Sequence, residues 1–125
     1  MAILPLADEL ESKLRCSDGE LYEELGLAVA RGAVVGDPQE RGRRLLEGLR
    51  SQLQDAVCKR ASIRLLYEKR ADQLFLLAAV VDAVVVVISA ASLPMSPATV
   101  AVLVLRAGLA ELCSTCWESP SGKAP

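Results

Sequence analysis

The sequence contains no histidine among its 125 residues. Histidine is the commonest general base and metal ligand, so its absence removes every nucleophile pair that depends on an imidazole. The sequence also lacks a nucleotide-binding glycine pattern, and no nucleophile, acid, base and oxyanion donor converge. We therefore predict that the protein is not an enzyme and that it needs neither a metal nor a cofactor.

Aromatic side chains are scarce as well. They make up 3% of the residues, although hydrophobic residues make up 52%. Sheets rely on Tyr, Phe, Trp and Thr, so this composition favours helices that pack through Ala, Leu and Val. We predict an all-α protein of four to five helices, with amphipathic N-terminal helices followed by an apolar antiparallel helical hairpin.

The first residues lack the features of a signal peptide. The stretch MAILPLADELESK has no basic region and no long apolar core, and it contains several acids. We therefore expect the N-terminal segment to stay in the cytoplasm with its thiols reduced.

Three positions have the residues of a helix start. Ser17 and Glu20 have the spacing of a capping box. Asp37 and Ser96 are good N-cap residues, and each precedes a proline, which is favoured at the first helical position. These starts predict helical regions over about residues 2–15, 18–33, 37–93 and 97–116.

After Pro38 the third region contains no further proline, and it carries a mostly apolar heptad pattern. A single helix of that length is rare in globular proteins. A continuous helix and a break near residues 58–62 are both open on the sequence alone.

No charged residue stands between Asp82 and Arg106. Residues 74–93 form a stretch long enough to cross a bilayer. The second arm, residues 97–113, is shorter and contains Arg106 and Glu111. The proline-rich connection between the arms predicts that they return antiparallel.

Asp82 and Arg106 each lie twelve residues from Pro94. In an antiparallel hairpin that turns at this proline they reach the same depth. Because a lone buried charge costs several kcal/mol, we predict a structural buried ion pair between them. Small or weakly polar residues on the same two faces, such as Ala78, Ser89 and Thr99, predict the contact between the arms.

Basic residues are concentrated just before the apolar arms. Residues 39–70 carry nine bases and four acids, whereas residues 1–38 carry three bases and eight acids. The positive-inside rule places both ends in the cytoplasm, and Tyr67 and Trp117 occupy interfacial positions. Solvated helix faces are the alternative interpretation, and no groove-reading motif favours nucleic acid. The predicted contacts with an anionic lipid surface are Lys59, Arg60, Arg64, Lys69 and Arg70.

The cysteines give a weaker signal. Cys113 and Cys116 form a CxxC motif, while Cys16 and Cys58 are isolated in the sequence. A redox pair and half of a zinc site are the alternatives. Since the motif closes a helix and no second close pair exists, we predict chemically inert, buried cysteines.

These observations predict a two-part chain: a charged amphipathic module (1–72) and an apolar hairpin (73–116), followed by a disordered tail (117–125). The predicted function is that of a small membrane-associated protein with cytoplasmic termini, whose helices bind a protein partner or self-associate. The alternative is a soluble cytoplasmic adaptor or oligomerisation module in which the hairpin lies in a bundle core. Arg106 and Glu111 distinguish the two, because a bilayer tolerates them only when they are partnered or near an edge.

Overall fold

Helices form all of the regular secondary structure in the part of the chain that the computed structural model describes, residues 3–29, 37–70, 72–114 and 117. This part contains eight helices and no strand. The all-α prediction is therefore confirmed, whereas the predicted number of four to five helices is wrong. The helices are α1 (Ile3–Leu14), α2 (Asp18–Val29), α3 (Pro38–Gly48), α4 (Arg50–Cys58), α5 (Ala61–Glu68), α6 (Gln73–Ala91), α7 (Pro97–Ala107) and α8 (Leu109–Leu112).

The three predicted helix starts are confirmed by their side-chain caps. The amide of Glu20 donates to Ser17 Oγ at 3.1 Å, and the amide of Ser17 donates to Glu20 Oε1 at 2.7 Å. Asp37 caps α3 and Ser96 caps α7, at 3.1 and 3.4 Å from amides of the first turn. Local capping chemistry therefore fixes where these helices begin.

The region 37–93 is not one helix. The break near residues 58–62 is present, between α4 and α5, and two further breaks occur at Leu49 and just before α6. At the break before α6, Arg70 has a φ of 55°. Asp72 then caps α6, because its carboxylate accepts from the amide of Leu74 at 2.9 Å. The breaks allow α4 and α5 to fold back and pack against α6, which a continuous helix cannot do.

Two glycines let α2 and α3 cross with their backbones in contact. A Cβ atom at Gly26 would overlap the carbonyl group of Pro38, and one at Gly42 would overlap the carbonyl group of Tyr22. Both glycines are buried. No side chain fits between the helices at these two points, so the crossing depends on glycine at both.

The core is one continuous cluster of buried residues drawn from both sides of residue 72. Helices α6 and α7 contact each other across a connection of residues 92–96, α4 and α5 cover α6, and α1 and α2 cover α7. Every residue from 98 to 104 is buried. Helix α7 is thus the most enclosed helix of the described bundle. The predicted division into a module and a hairpin stays a prediction, and residues 118–125 of the predicted tail lie outside the described part.

Gly108 divides the last predicted helical region. Its φ of 105° is one that residues with a side chain rarely adopt, and it separates α7 from the short α8. The predicted helix over 97–116 is therefore interrupted, and α7 ends at Ala107.

We predict that Gly26→Ala and Gly42→Ala each destabilise the protein by about 1–3 kcal/mol, because the new methyl group forces the two backbones apart. The matched control is Gly48→Ala, whose Cβ meets nothing within 4 Å. That substitution should be neutral or stabilising by up to about 1 kcal/mol, since it only adds helix propensity. Urea unfolding followed by circular dichroism measures all three, and equal effects at the three positions would contradict the close crossing.

Candidate functional site

The polar side chains of α7 are used to bind α1 and α2. Thr99 is fully buried, and its hydroxyl donates to Glu24 Oε2 at 2.7 Å. The other oxygen of Glu24 pairs with Lys13 Nζ at 2.7 Å. One carboxylate therefore joins all three helices, and the hydroxyl on the buried helix has its partner inside the protein.

Arg106 extends the same attachment at the other end of α7. Its Nη1 lies 2.8 Å from Asp18 Oδ1, and its Nη2 donates to the carbonyl oxygen of Leu14 at 2.8 Å. The predicted pair with Asp82 is corrected by this geometry, because Arg106 faces the N-terminal helices and Asp82 lies on the exposed side of α6. Helices α1 and α2 cover the polar side of α7. The acidic partner of Arg106 is therefore Asp18 and not the predicted Asp82.

One side of α6 is exposed along its length, and we call it the outer face: Phe75, Asp82, Val85, Val86 and Ser89. These positions share a side at helical spacing. Phe75 is 64% exposed and Val86 is 55% exposed, while eight residues on the other side of the helix are buried. Asp82 is the middle residue of this 19-residue helix, with nine residues on either side. The face is thus an apolar surface with one carboxylate at its centre.

Ala78, Asp82 and Ser89, predicted to form the contact between the two arms, do not lie in it. Ala78 is half-buried, and the other two are exposed. Thr99, predicted on the facing side, is bound to Glu24 instead. The buried residues of α6 are all apolar, so packing in this part of the core is by aliphatic side chains.

A groove adjoins the outer face between α4 and α6. Its volume is about 330 Å³, and its lining residues are Gln52, Asp55, Ala56, Val86, Val87 and Ala90. Asp55 pairs with Lys59 at 2.9 Å on the exposed side of α4. The groove extends the apolar surface around Val86, and Gln52 and Asp55 are its polar lining residues.

A second cavity of about 360 Å³ lies where α3 and α4 meet α7 and α8. Leucines and Val104 contribute apolar lining, and its charged lining residues are Arg43, Glu47, Arg50 and Glu111. The Arg43 guanidinium stacks over the ring of Tyr22 at 4.7 Å and pairs with Glu40 at 3.4 Å. Because charges of both signs surround the opening, the cavity does not select a ligand by charge.

The five basic residues predicted to face an anionic surface lie around α5. Lys59 pairs with Asp55, and Arg64 pairs with Glu68 at 2.9 Å and lies 5.9 Å from the ring of Trp117. Arg60 is half-buried at the start of α5, and Lys69 and Arg70 are exposed at its end. Ion pairs within the helices thus neutralise part of this charge, and lipid contact by the block stays a prediction.

Cys58 and Cys113 form a disulfide bond across 55 residues. Both are buried, as predicted, but the bond between them contradicts the prediction that the thiols are reduced and inert. Cys16 is free and half-buried, and Cys116, the other half of the CxxC motif, lies outside the described residues. Four cysteines allow three pairings, and spacing alone does not choose among them.

The C-terminal end is attached around this disulfide by further contacts. The indole of Trp117 donates to the carbonyl oxygen of Cys58 at 2.9 Å, and Gln54 Nε2 donates to that of Leu112 at 2.7 Å. The rings of Tyr67 and Trp117 lie 5.3 Å apart. The two aromatics predicted at a membrane interface therefore contact each other.

In the described part of the chain, no group of three or more Cys, Asp or Glu side chains is placed to hold a metal ion. Helix α6 alone among the described helices is long and apolar enough to cross a membrane by length and composition, and less than half of that stretch is buried. Helix α7 is apolar but shorter. No family model matches the sequence, and no curated protein or solved structure is detectably similar to it.

We predict that a double-mutant cycle finds coupling between Arg106 and Asp18, and none between Arg106 and Asp82. The variants are the alanine substitutions at the three positions, singly and in the two pairs, and the measurement is the free energy of unfolding in urea. The first pair should couple by about 0.5–1 kcal/mol, as a partly exposed ion pair does. Coupling between Arg106 and Asp82 alone would contradict the contact with Asp18 and support the ion pair predicted from the sequence.

We predict that reduction of the disulfide lowers stability by about 2–4 kcal/mol, because the bond closes a long loop and restricts the unfolded chain. Thermal unfolding with and without a reductant should show a fall in Tm on the order of 10 °C. The Cys58→Ser/Cys113→Ser variant should unfold at the reduced temperature in both buffers, whereas Cys16→Ser should behave like the unmodified protein. An unchanged Tm on reduction would contradict the pairing.

Proposed function

We propose that the protein is a non-enzymatic helical interaction module that binds a partner protein through the outer face of α6. In this proposal α6 and α7 form the core of a soluble bundle, which is the alternative that the sequence left open. The observation that carries the proposal is the contrast between the two apolar helices. Helix α7 is buried over seven consecutive residues, whereas α6 exposes a whole side.

The contacts of α7 support a bundle core over a membrane hairpin. A polar side chain on a helix surrounded by lipid has no hydrogen-bond partner unless it reaches another helix. Here Thr99 and Arg106 are bound by the charged helices α1 and α2, which themselves belong in water. The charged helices and the apolar helix form one packed unit, so moving α7 into lipid would break these contacts.

The position of Asp82 also disfavours a bilayer around α6. A carboxylate at the middle of a membrane-spanning helix costs about 3 kcal/mol. On the outer face this carboxylate would meet lipid at the middle of the span. Among the described helices, the feature that favours the membrane-associated alternative is the length and apolar composition of α6.

The outer face has the character of a surface for another helix. Large exposed apolar side chains grouped on one helix mark interaction sites more often than scattered ones do. Phe75 supplies an aromatic anchor, and Val85 and Val86 with small neighbours form a shallow apolar strip that continues into the groove beside α4. An amphipathic helix laid along such a strip buries its apolar side.

The test is site-specific photocrosslinking in cells that make the protein. p-Benzoylphenylalanine replaces Phe75, which it resembles in shape, and the matched control position is Arg44, whose side chain is 77% exposed on α3. We expect protein adducts from position 75 and none from position 44, and we expect the protein in the soluble fraction without detergent.

Two results would contradict the proposal. Equal adducts from both positions would mean that the outer face has no particular partner. Retention in the membrane pellet after a carbonate wash, with release only by detergent, would favour the membrane-associated alternative.

A further inference from the structure

We infer that the partner presents an apolar helix with a single basic residue at its middle, and that this residue pairs with Asp82. The inference rests on the proposed function of the outer face and adds the chemistry of its partner. It follows from the position, the exposure and the surroundings of this one carboxylate.

Asp82 is set apart by its apolar surroundings rather than by the lack of a partner, since Glu23 and Glu47 also form no ion pair within the described residues. Glu24, Asp55 and Glu68 each form an ion pair with a base on their own or a neighbouring helix. Within the described residues no ion pair of Asp82 is present. Its neighbours on the outer face are Phe75, Val85, Val86 and Ser89, so a helix bound there would remove the carboxylate from water among apolar side chains.

A carboxylate removed from water without a partner opposes binding strongly. A partner helix that is apolar throughout would therefore bind the outer face poorly despite its fit. A Lys or Arg at the matching position turns this penalty into an attractive, hydrogen-bonded pair. The carboxylate thus selects among apolar helices by charge.

A second copy of the chain is disfavoured by the same residue. In a symmetric pair of α6 helices with full overlap, the middle residue of one helix meets the middle residue of the other, whether the helices run parallel or antiparallel. That residue is Asp82 in both copies, since nine residues flank it on each side. Two carboxylates would then face each other, so self-pairing is opposed and the basic partner is favoured.

The experiment uses the full chain with a partner made from the chain itself. Asp82→Lys gives a protein that presents the same apolar face with a base at its centre. Because position 82 is exposed, the substitution leaves the core unchanged, and circular dichroism checks that the fold is kept. Sedimentation velocity is measured on each protein alone and on the equimolar mixture, at low and at high salt.

We expect the original protein and the Asp82→Lys variant each to be monomeric alone, and the mixture to form a heterodimer. The mixed pair should bind at least about tenfold more tightly than either self-pair, and high salt should weaken it. Asp8→Lys makes the same change of charge at an exposed position on α1, so its mixture with the original protein should stay monomeric. Val86→Ser in both partners should abolish the heterodimer.

The outcomes separate the inference from the proposed function. Asp82→Asn, measured in the same way, removes the charge without adding a base. If this variant dimerises but the mixture of the original protein with Asp82→Lys binds no more tightly than the self-pairs, the outer face binds helices without discriminating by charge, and only the inference is wrong. If the original protein already dimerises through Val86, the occupant is a second copy, which also overturns the inference. If no variant or mixture associates at any concentration tested, the outer face does not bind helices and both fail.

Discussion

Helix α7 has to be enclosed on all sides, and the positions of the other described helices follow from this requirement. Its residues from 98 to 104 are all buried, so several other helices must cover it. The N-terminal helices meet this need through specific polar bonds, with Glu24 on Thr99 and Asp18 on Arg106. These bonds fix the rotation of α7, because each requires a particular side of the helix to face α1 and α2.

In this arrangement helix α6 is covered by other helices on some sides and exposed on its outer face. It covers α7 on one side and is covered by α4 and α5 on others, but no described helix lies over its outer face. The apolar composition of α6 is therefore only partly explained by the fold. Burial accounts for Val80 and Val84, whereas Phe75 and Val86 are exposed without a structural role in the described bundle. These exposed apolar side chains are the reason for proposing that the outer face binds a partner.

The sequence predicts those features of the fold that depend on local chemistry. Helix starts at Ser17, Asp37 and Ser96 follow from one cap residue and its neighbours, and all three are present. Features that depend on distant residues are not predictable in this way. The disulfide joins Cys58 to a cysteine 55 residues away, and Gly26 matters only because another backbone crosses it there. The pairing of Asp82 with Arg106 failed for the same reason, since equal spacing from Pro94 carries no information about α1 and α2. The outer face was visible in the sequence only as apolar residues, because exposure depends on which helices cover which.

The environment of Val86 in the presence of phospholipid vesicles shows whether the outer face lies in water, as we propose, or in lipid. Cys16 and Cys116 are first replaced by serine, so that neither reacts with the label. A spin label is then attached to a cysteine that replaces Val86, and a label on a cysteine that replaces Arg44 serves as the water-exposed reference. Accessibility is then measured to a water-soluble nickel complex and to oxygen, which partitions into lipid. We expect the label at position 86 to be as accessible to nickel as the reference. Shielding from nickel together with high accessibility to oxygen would place the outer face in lipid and contradict the proposal.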